Sequence, residues 1–348
     1  MVTSPVFRYT LITAAVIVVI AGLRAAAALF TPFALAVFIA VVSLPAVRFL
    51  RRRLRFPSGL AILGIVVLVA VVLAFFSWIV MQTAVELRAE LPAYLARAQE
   101  LEQSVRTRLL PWGLDLGPRD SSNFFEQGRV FDFAATAARG VTSAASVFFL
   151  ILLFLVFILA ESIALPDKLR RVYGPKTSGQ ASGAVVLAQV QRYLVLKTLI
   201  SLVTGIVIGA GAALIGVDFA LFWGLLAFVL NYVPNIGSVI AAVPAVLVAL
   251  LQLGVGPALG LSAIYLSVNM VVGNFVDPIV IGRELRLSPL IVLMSLVFWG
   301  WVWGPVGMFL SVPLTIVVRI VMENTDSLKR VANMMGPVAA SGSGNPAE

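Results

Sequence analysis

The chain has 348 residues, 61% of them hydrophobic and 12% charged, with a mean hydropathy of +1.04 and a net charge of +9. Soluble domains run to about 45–50% apolar and about 25% charged residues, so this is the composition of an integral membrane protein. Cysteine and histidine are both absent, which excludes disulfides, thiolate nucleophiles, HExxH zinc helices, the serine–histidine triad and imidazole relays. No GxxxxGK(S/T) loop supplies a phosphate cradle. Neither an enzyme nor a bound metal or cofactor is expected.

A helix needs about 20 apolar residues to cross a bilayer core. Such material lies at 9–30, 31–47, 59–80, 141–160, 198–217, 219–252, 257–276 and 290–318. Period-two alternation is absent, so the expected fold is an all-α integral membrane bundle of about eight spans rather than a barrel. Arg8, an apolar run and "RAAAALF" outline a secretory signal. The run from 9 to 23 is long for one, though, and a second hydrophobic segment follows at once, so a retained first helix is expected.

Charge sets the expected orientation. Residues 83–140 hold seven arginines against eight acids, a balance of −1, and the rest of the chain carries +10. Apart from Arg24, the remaining basic residues fall at Arg8, 48–55, 168–197, Arg283 and Arg286, and 319–330. An even number of spans can place all of these on one side, and the positive-inside rule makes that side the cytoplasm, with both termini inside. The run "RRRLR" reads as a topology signal, and nucleic acid is not an expected partner.

Residues 83–140 are then extracytoplasmic. "TAVELRAELPAYLARAQELEQSVRTRLL" alternates charge with Leu, Ala and Val at helical spacing and predicts an amphipathic helix continuing the third span. "PWGLDLGPRDSSN" beyond it carries turn chemistry. The expected organisation is a three-span region at 1–82, this outer helical segment at 83–140, a fourth span with a cytoplasmic amphipathic linker at 141–197, a repeat-built transport region at 198–322 and a largely disordered cytoplasmic tail at 323–348.

The repeat lies in the second half. "LFWG" at 221–224 is followed by Pro234, Gly237 and "VP" at 243–244; "VFWG" at 297–300 is followed by Pro305, Gly307 and "VP" at 312–313. Each copy follows one plain span and has the length of a helical hairpin broken near its centre. "GVDF" and "LGVG" around the first contain no Lys or Arg, whereas Arg283, Arg286 and Arg319 bracket the second. The first hairpin is thus expected to open outside and the second inside, an inverted repeat of the kind that puts transporter substrate sites where broken helices meet. Two ordinary kinked helices are the bland alternative. Gly237 and Gly307 stand where a chain reversal needs positive φ or close backbone approach. "GIVIG" at 205–209 and "GPALG" at 256–260 are small-residue faces that allow close helix contact.

"QRYLVLKTLISLVTG" (191–205), "LFWGLLAFVLNYVPNIGSVIAAVPA" (221–245), "GNFVDPIVIGRELRLSPL" (273–290) and "FWGWVWGPVGMFLSVPLT" (298–315) resemble the signature blocks of the AI-2E family, the autoinducer-2 exporter or PerM-like permeases. The resemblance spans nearly the whole chain, and the first half matches mainly in layout. The resemblance implies a bacterial inner (cytoplasmic) membrane transporter of about eight spans, assembled as a homo-oligomer. Autoinducer-2 export and sodium or lithium/proton antiport both occur among such proteins.

Charges and amides inside a membrane are functional candidates. Asn274 and Asp277 lie three apart at a helix end that Pro278 breaks, and Arg283, Glu284 and Arg286 follow. Asp277 can bind a cation, take a proton or accept hydrogen bonds from a polyol; a salt bridge to Arg283 or Arg286 is the structural alternative. Asn231 and Asn235, beside Pro234, suit a neutral hydroxylated solute or cap freed backbone groups, the role favoured for Ser238. Arg192 and Lys197, on "VQRYLVLK" with Gln191, make either a snorkelling interfacial helix or a gate. Trp299, Trp301 and Trp303 read as interface or packing residues.

Three functions fit: export of a small polar solute by alternating access, Na+(Li+)/H+ antiport through Asp277 with Glu284, and a non-transporting membrane scaffold that uses 83–140 to hold a partner.

Overall fold

In the computed structural model, described over residues 5–109, 111, 146–163, 168, 178–234, 236–276, 288–323 and 335, every regular element is a helix. In chain order these are α1 (Pro5–Ala25), α2 (Ala27–Arg53), α3 (Ser58–Leu109), α4 (Ser146–Ile163), α5 (Ser178–Ile215), α6 (Ala220–Leu230), α7 (Ile236–Leu253), α8 (Val255–Val271) and α9 (Pro289–Glu323). Seven of them are long and apolar enough to cross a membrane.

The first turn falls at Ala26 (φ −91°, ψ 13°), several residues before the boundary expected between 30 and 31. Pro32 therefore sits inside α2, five residues after its start. Its ring supplies no amide to Ala28 O, the helical acceptor four residues back. Thr31 Oγ1 donates to Ala27 O at 2.7 Å beside it.

α3 runs unbroken for 52 residues, about 78 Å at about 1.5 Å per residue. Its first half is apolar and its second half charged, and no turn separates them. Within the charged half Leu91 and Tyr94 are buried, which marks the face that packs on the rest of the bundle. The turn residues expected from 112 onward and the tail beyond 323, Met335 excepted, lie outside the described residues.

The core sits among α5, α6, α7 and α8. Ala241, Ala245 and Ala249 of α7 are fully buried at four-residue spacing, a stripe of small side chains that lets neighbouring helices come close. Gly205 and Gly209 of α5 meet Gly224 of α6: a Cβ on Gly205 would stand 2.7 Å from Gly224 O and 2.8 Å from Phe228 Cβ. The "GIVIG" face is thus filled by backbone. "GPALG" is not used this way, since a Cβ on Gly256 meets nothing and one on Gly260 only Ile215 Cδ1 at 3.7 Å.

Outside this core the surface is apolar. Val18, Phe149, Leu214 and Leu266 are more than 60% exposed, an arrangement suited to lipid and costly in water.

α9 is interrupted at Gly304 (φ 63°, ψ −145°). Ser295 Oγ donates to Ser311 O at 2.8 Å, although 16 residues of straight helix would hold them about 24 Å apart. The stretches on either side of Gly304 therefore lie against each other, pinned by buried Ser295, Ser311 and Thr315, with Trp299 Nε1 donating to Thr315 Oγ1 at 3.1 Å.

Candidate functional site: an uncharged cleft beside a broken helix

α6 stops at Leu230 because Pro234 disfavours helical geometry in the residue before it and has no amide of its own to donate. The chain turns through 231–234, with Val233 N bonded to Leu230 O at 2.9 Å, and α7 begins at Ile236. Gly237 faces the carbonyl of Leu230 so closely that a Cβ would collide with it. In α9 the corresponding collision is between a Cβ on Gly307 and Trp299 O.

Positive φ lies elsewhere. It occurs at Gly216, Gly254 and Gly304 but at neither Gly237 nor Gly307, so those two glycines are needed for close approach alone. Pro305 follows Gly304 directly and Pro234 stands in the first break.

The break at 231–234 faces a row of hydroxyls on α5 at three-residue spacing: Thr198, Ser201 and Thr204. Asn231 Nδ2 donates to Ser201 Oγ at 2.9 Å. Tyr232 OH donates to Thr198 Oγ1 at 2.7 Å, and Thr198 Oγ1 donates to Leu194 O at 2.7 Å. Thr204 lies one turn further on, and across from it α8 brings Tyr265 and Asn269, four apart and on one helix face.

Together these residues enclose a narrow cleft lined by Thr204, Ile208, Ala227, Asn231, Ser238, Ala241, Tyr265 and Asn269. It offers about 10 Å³, room for about one water. Two of its hydroxyls, Thr204 Oγ1 and Tyr265 OH, are buried without a hydrogen-bond partner among the described residues, and such groups cost about 1–3 kcal/mol each when left alone. No side chain on the lining carries a charge. The chemistry available is that of neutral donors and acceptors, suited to hydroxyl, carbonyl or water.

Of the residues singled out in the sequence, Asn231 and Ser238 line this cleft. Asn274 lies on the π-helical turn Val272–Val276 that ends α8, where it is exposed. Asn235, Asp277, Arg283, Glu284 and Arg286 lie outside the described residues. Arg192 is exposed and Lys197 buried on α5, and both are engaged. The helix around them packs between α2 and α9: Gln191 Nε2 donates to Val41 O at 3.1 Å, Gln191 Oε1 accepts from Arg48 Nη2 at 2.9 Å, and Tyr193 and Leu194 share a core with Val312 and Ile316.

Thr204, Tyr265 and Asn269 were missed from the sequence. The available signal was the three-residue hydroxyl spacing in "KTLISLVTG" and the polar pair four apart in "YLSVN".

The two breaks are joined by rings. Tyr232 lies 4.4 Å from Phe309, between centroids, and 5.6 Å from Phe38, which in turn lies 5.0 Å from Phe309. At the open end of α6 and α7 a second polar set closes the bundle. Tyr94 OH on α3 donates to Asp218 Oδ2 at 2.6 Å, Asp218 N donates to Gln252 Oε1 at 2.8 Å, and Gln252 Nε2 donates to Gly216 O at 3.1 Å. Arg97 Nη1 caps α7 at Gln252 O, 2.9 Å away.

Long apolar helices, backbone breaks facing buried polar groups, and an internal cleft without charge define a multi-pass helical membrane protein with the anatomy of a transporter. The chain belongs to the AI-2E family of transporters, which it matches over residues 13–327. It is 37% identical over 319 residues to the AI-2 transport protein TqsA of Escherichia coli K12, covering 92% of each chain. It is also 37% identical over 332 residues to the putative transport protein YhhT of Escherichia coli K12, covering 93% of each. A putative transport protein of Haemophilus influenzae is 34% identical over 333 residues, 93% of this chain and 95% of the relative. The family is one of transport proteins, not of enzymes.

Proposed function

We propose that the chain is a secondary transporter that exports a small polar solute by alternating access, with the solute passing through the cleft between α5, α6, α7 and α8. The observation that carries this reading is the pair of buried, unpartnered hydroxyls, Thr204 Oγ1 and Tyr265 OH, turned on one uncharged cleft beside a broken helix. A site of neutral donors and acceptors suits a hydroxylated solute, and the printed name of TqsA makes autoinducer-2 the first to try. At about 10 Å³ the cleft is closed, so solute enters only when α6 and α7 move away from α5 and α8.

The inverted repeat belongs to this proposal, and two sets of contacts support it. The open end of α6 and α7 lies against Tyr94 and Arg97, far along α3, while their break lies level with Phe38, midway down α2. In α9 the break is the part nearest the turn between α1 and α2, since Trp303 Nε1 donates to Leu23 O at 3.1 Å and Trp303 stacks on Phe30. The two broken elements thus point in opposite directions. With the basic residues inside, the α3 extension, Asp218 and Gln252 face the outside, and the two termini face the cytoplasm. Asn235, Asn274 and Asp277 stand as further solute or ion contacts, and the chain works as a homo-oligomer.

The test is flux in proteoliposomes. Purified protein is expected to move labelled autoinducer-2 or a related polyol faster than empty vesicles do, with a proton gradient changing the rate. Failure to move any neutral polyol, together with sodium-dependent collapse of a pH gradient, would replace export by antiport.

A further inference from the structure

Away from the cleft, the lipid-facing side of the bundle holds a groove that transport does not use. Ile17, Ile20, Ala21, Arg24 and Ala25 of α1 and Trp301 of α9 line it, and it encloses about 480 Å³. Its lining is apolar except for one guanidinium. Arg24 lies 4.6 Å from the centroid of the Trp301 ring, and among the described residues no carboxylate pairs with it. Trp301 is itself 55% exposed, so the cation is held against an indole on the outer surface of the bundle with its N–H donors free to face a ligand.

The order of groups along the groove identifies that ligand. Ile17 and Arg24 are seven residues apart, about 10 Å along a helix, and one leaflet of a bilayer core is about 15 Å deep. The guanidinium stands at the end of α1 and the aliphatic floor runs from it toward the middle of the helix. Trp303 shares this level through its bond to Leu23 O, and tryptophans gather at the headgroup zone of membranes. A phospholipid presents the matching sequence, a phosphate above an acyl chain. The planar arginine fork binds phosphate oxygens in pairs, and a headgroup without an ammonium avoids repulsion from Arg24.

We propose that this groove is a binding site for one anionic phospholipid, with its phosphate held by Arg24 against Trp301 and one acyl chain laid along Ile17, Ile20 and Ala21. The lipid then bridges α1 and α9 three residues before the break at Gly304, and ties the composition of the membrane to the stability of that broken element.

The experiment uses the full chain purified in detergent, with phosphatidylglycerol or phosphatidylcholine added, read by native mass spectrometry and thermal unfolding. Phosphatidylglycerol is expected to remain bound and to raise the unfolding midpoint more than phosphatidylcholine does. Arg24→Gln is expected to weaken retention about tenfold, the size of one charge-assisted contact. Arg24→Lys, which keeps the charge, retains part of the preference, and Arg51→Gln on α2 retains all of it. A phosphatidylglycerol with a photoreactive acyl chain should label the peptide containing residues 17–25. Equal phosphatidylglycerol preference in wild type and Arg24→Gln overturns the proposal, as does labelling confined to other helices. Cross-linking of a cysteine at position 17 to a second copy of the chain, undiminished by added lipid, also overturns it and gives the groove to a subunit contact.

Discussion

Removing the two orphaned hydroxyls should make the protein more stable and a worse transporter. Thr204→Val and Tyr265→Phe keep the shape of each side chain and delete only the hydroxyl. A buried hydroxyl without a partner costs about 1–3 kcal/mol. The cleft has room for about one water, which can satisfy part of that cost for both groups. The expected gain is therefore about 1 kcal/mol for each single variant and no more than about 2 kcal/mol for the pair, whose shared water couples them. Solute loses one neutral hydrogen bond per substitution, about 1 kcal/mol or about fivefold in affinity. Denaturant unfolding in micelles gives the first quantity, and flux in proteoliposomes normalised to inserted protein gives the second. Variants that are more stable yet carry solute at the wild-type rate would falsify the assignment of the cleft to the pathway. Variants destabilised by more than about 1 kcal/mol would mean that both hydroxyls serve the packing of the bundle.

Gly237→Ala and Gly307→Ala place a Cβ on the carbonyls of Leu230 and Trp299, and each is expected to destabilise by about 3 kcal/mol or more. Gly260→Ala, which meets only Ile215 Cδ1 at 3.7 Å, should instead stabilise α8 by about 0.5–1 kcal/mol; equal losses at all three positions in thermal unfolding would refute the close-approach account. The bond from Tyr94 to half-buried Asp218 predicts a coupling of about 1 kcal/mol in a double-mutant cycle of Tyr94→Phe and Asp218→Asn. Since that bond must break if α6 and α7 swing away from α3, both variants should also shorten the time spent closed in single-molecule fluorescence; no change in either measurement would show that the bond does not hold the closed state. Asp277→Asn keeps shape and deletes charge: an ion site loses coupling to the gradient, a solute contact weakens by about 1 kcal/mol, and a partner of Arg283 loses folded protein that Arg283→Gln restores. Membrane abundance and flux measured together separate the three, and a fully active, ion-coupled variant takes Asp277 out of the mechanism.

The long helices were legible because the signal for each is an apolar run of bilayer length, and the continuation of α3 past residue 83 was legible because its charges keep helical spacing. The start of α2 was misplaced because the apolar run continues through 25–30 and neither glycine nor proline stands at Ala26, where the chain turns. The two glycines of "GPVG" illustrate a subtler limit. Glycine answers both a positive φ and a close carbonyl, and the letters do not say which; the backbone assigns the first to Gly304 and the second to Gly307. The same degeneracy hid most of the cleft. Asn231 stood out as an amide beside a proline in an apolar stretch. Thr204 did not, because hydroxyls in membrane helices commonly bond a carbonyl one turn back, as Thr31, Thr198 and Ser262 do here toward Ala27, Leu194 and Ala258. In sequence Thr204 is one more such hydroxyl. Only the approach of α8, which brings Tyr265 opposite it, distinguishes a hydroxyl turned into a cleft from one folded back on its own helix.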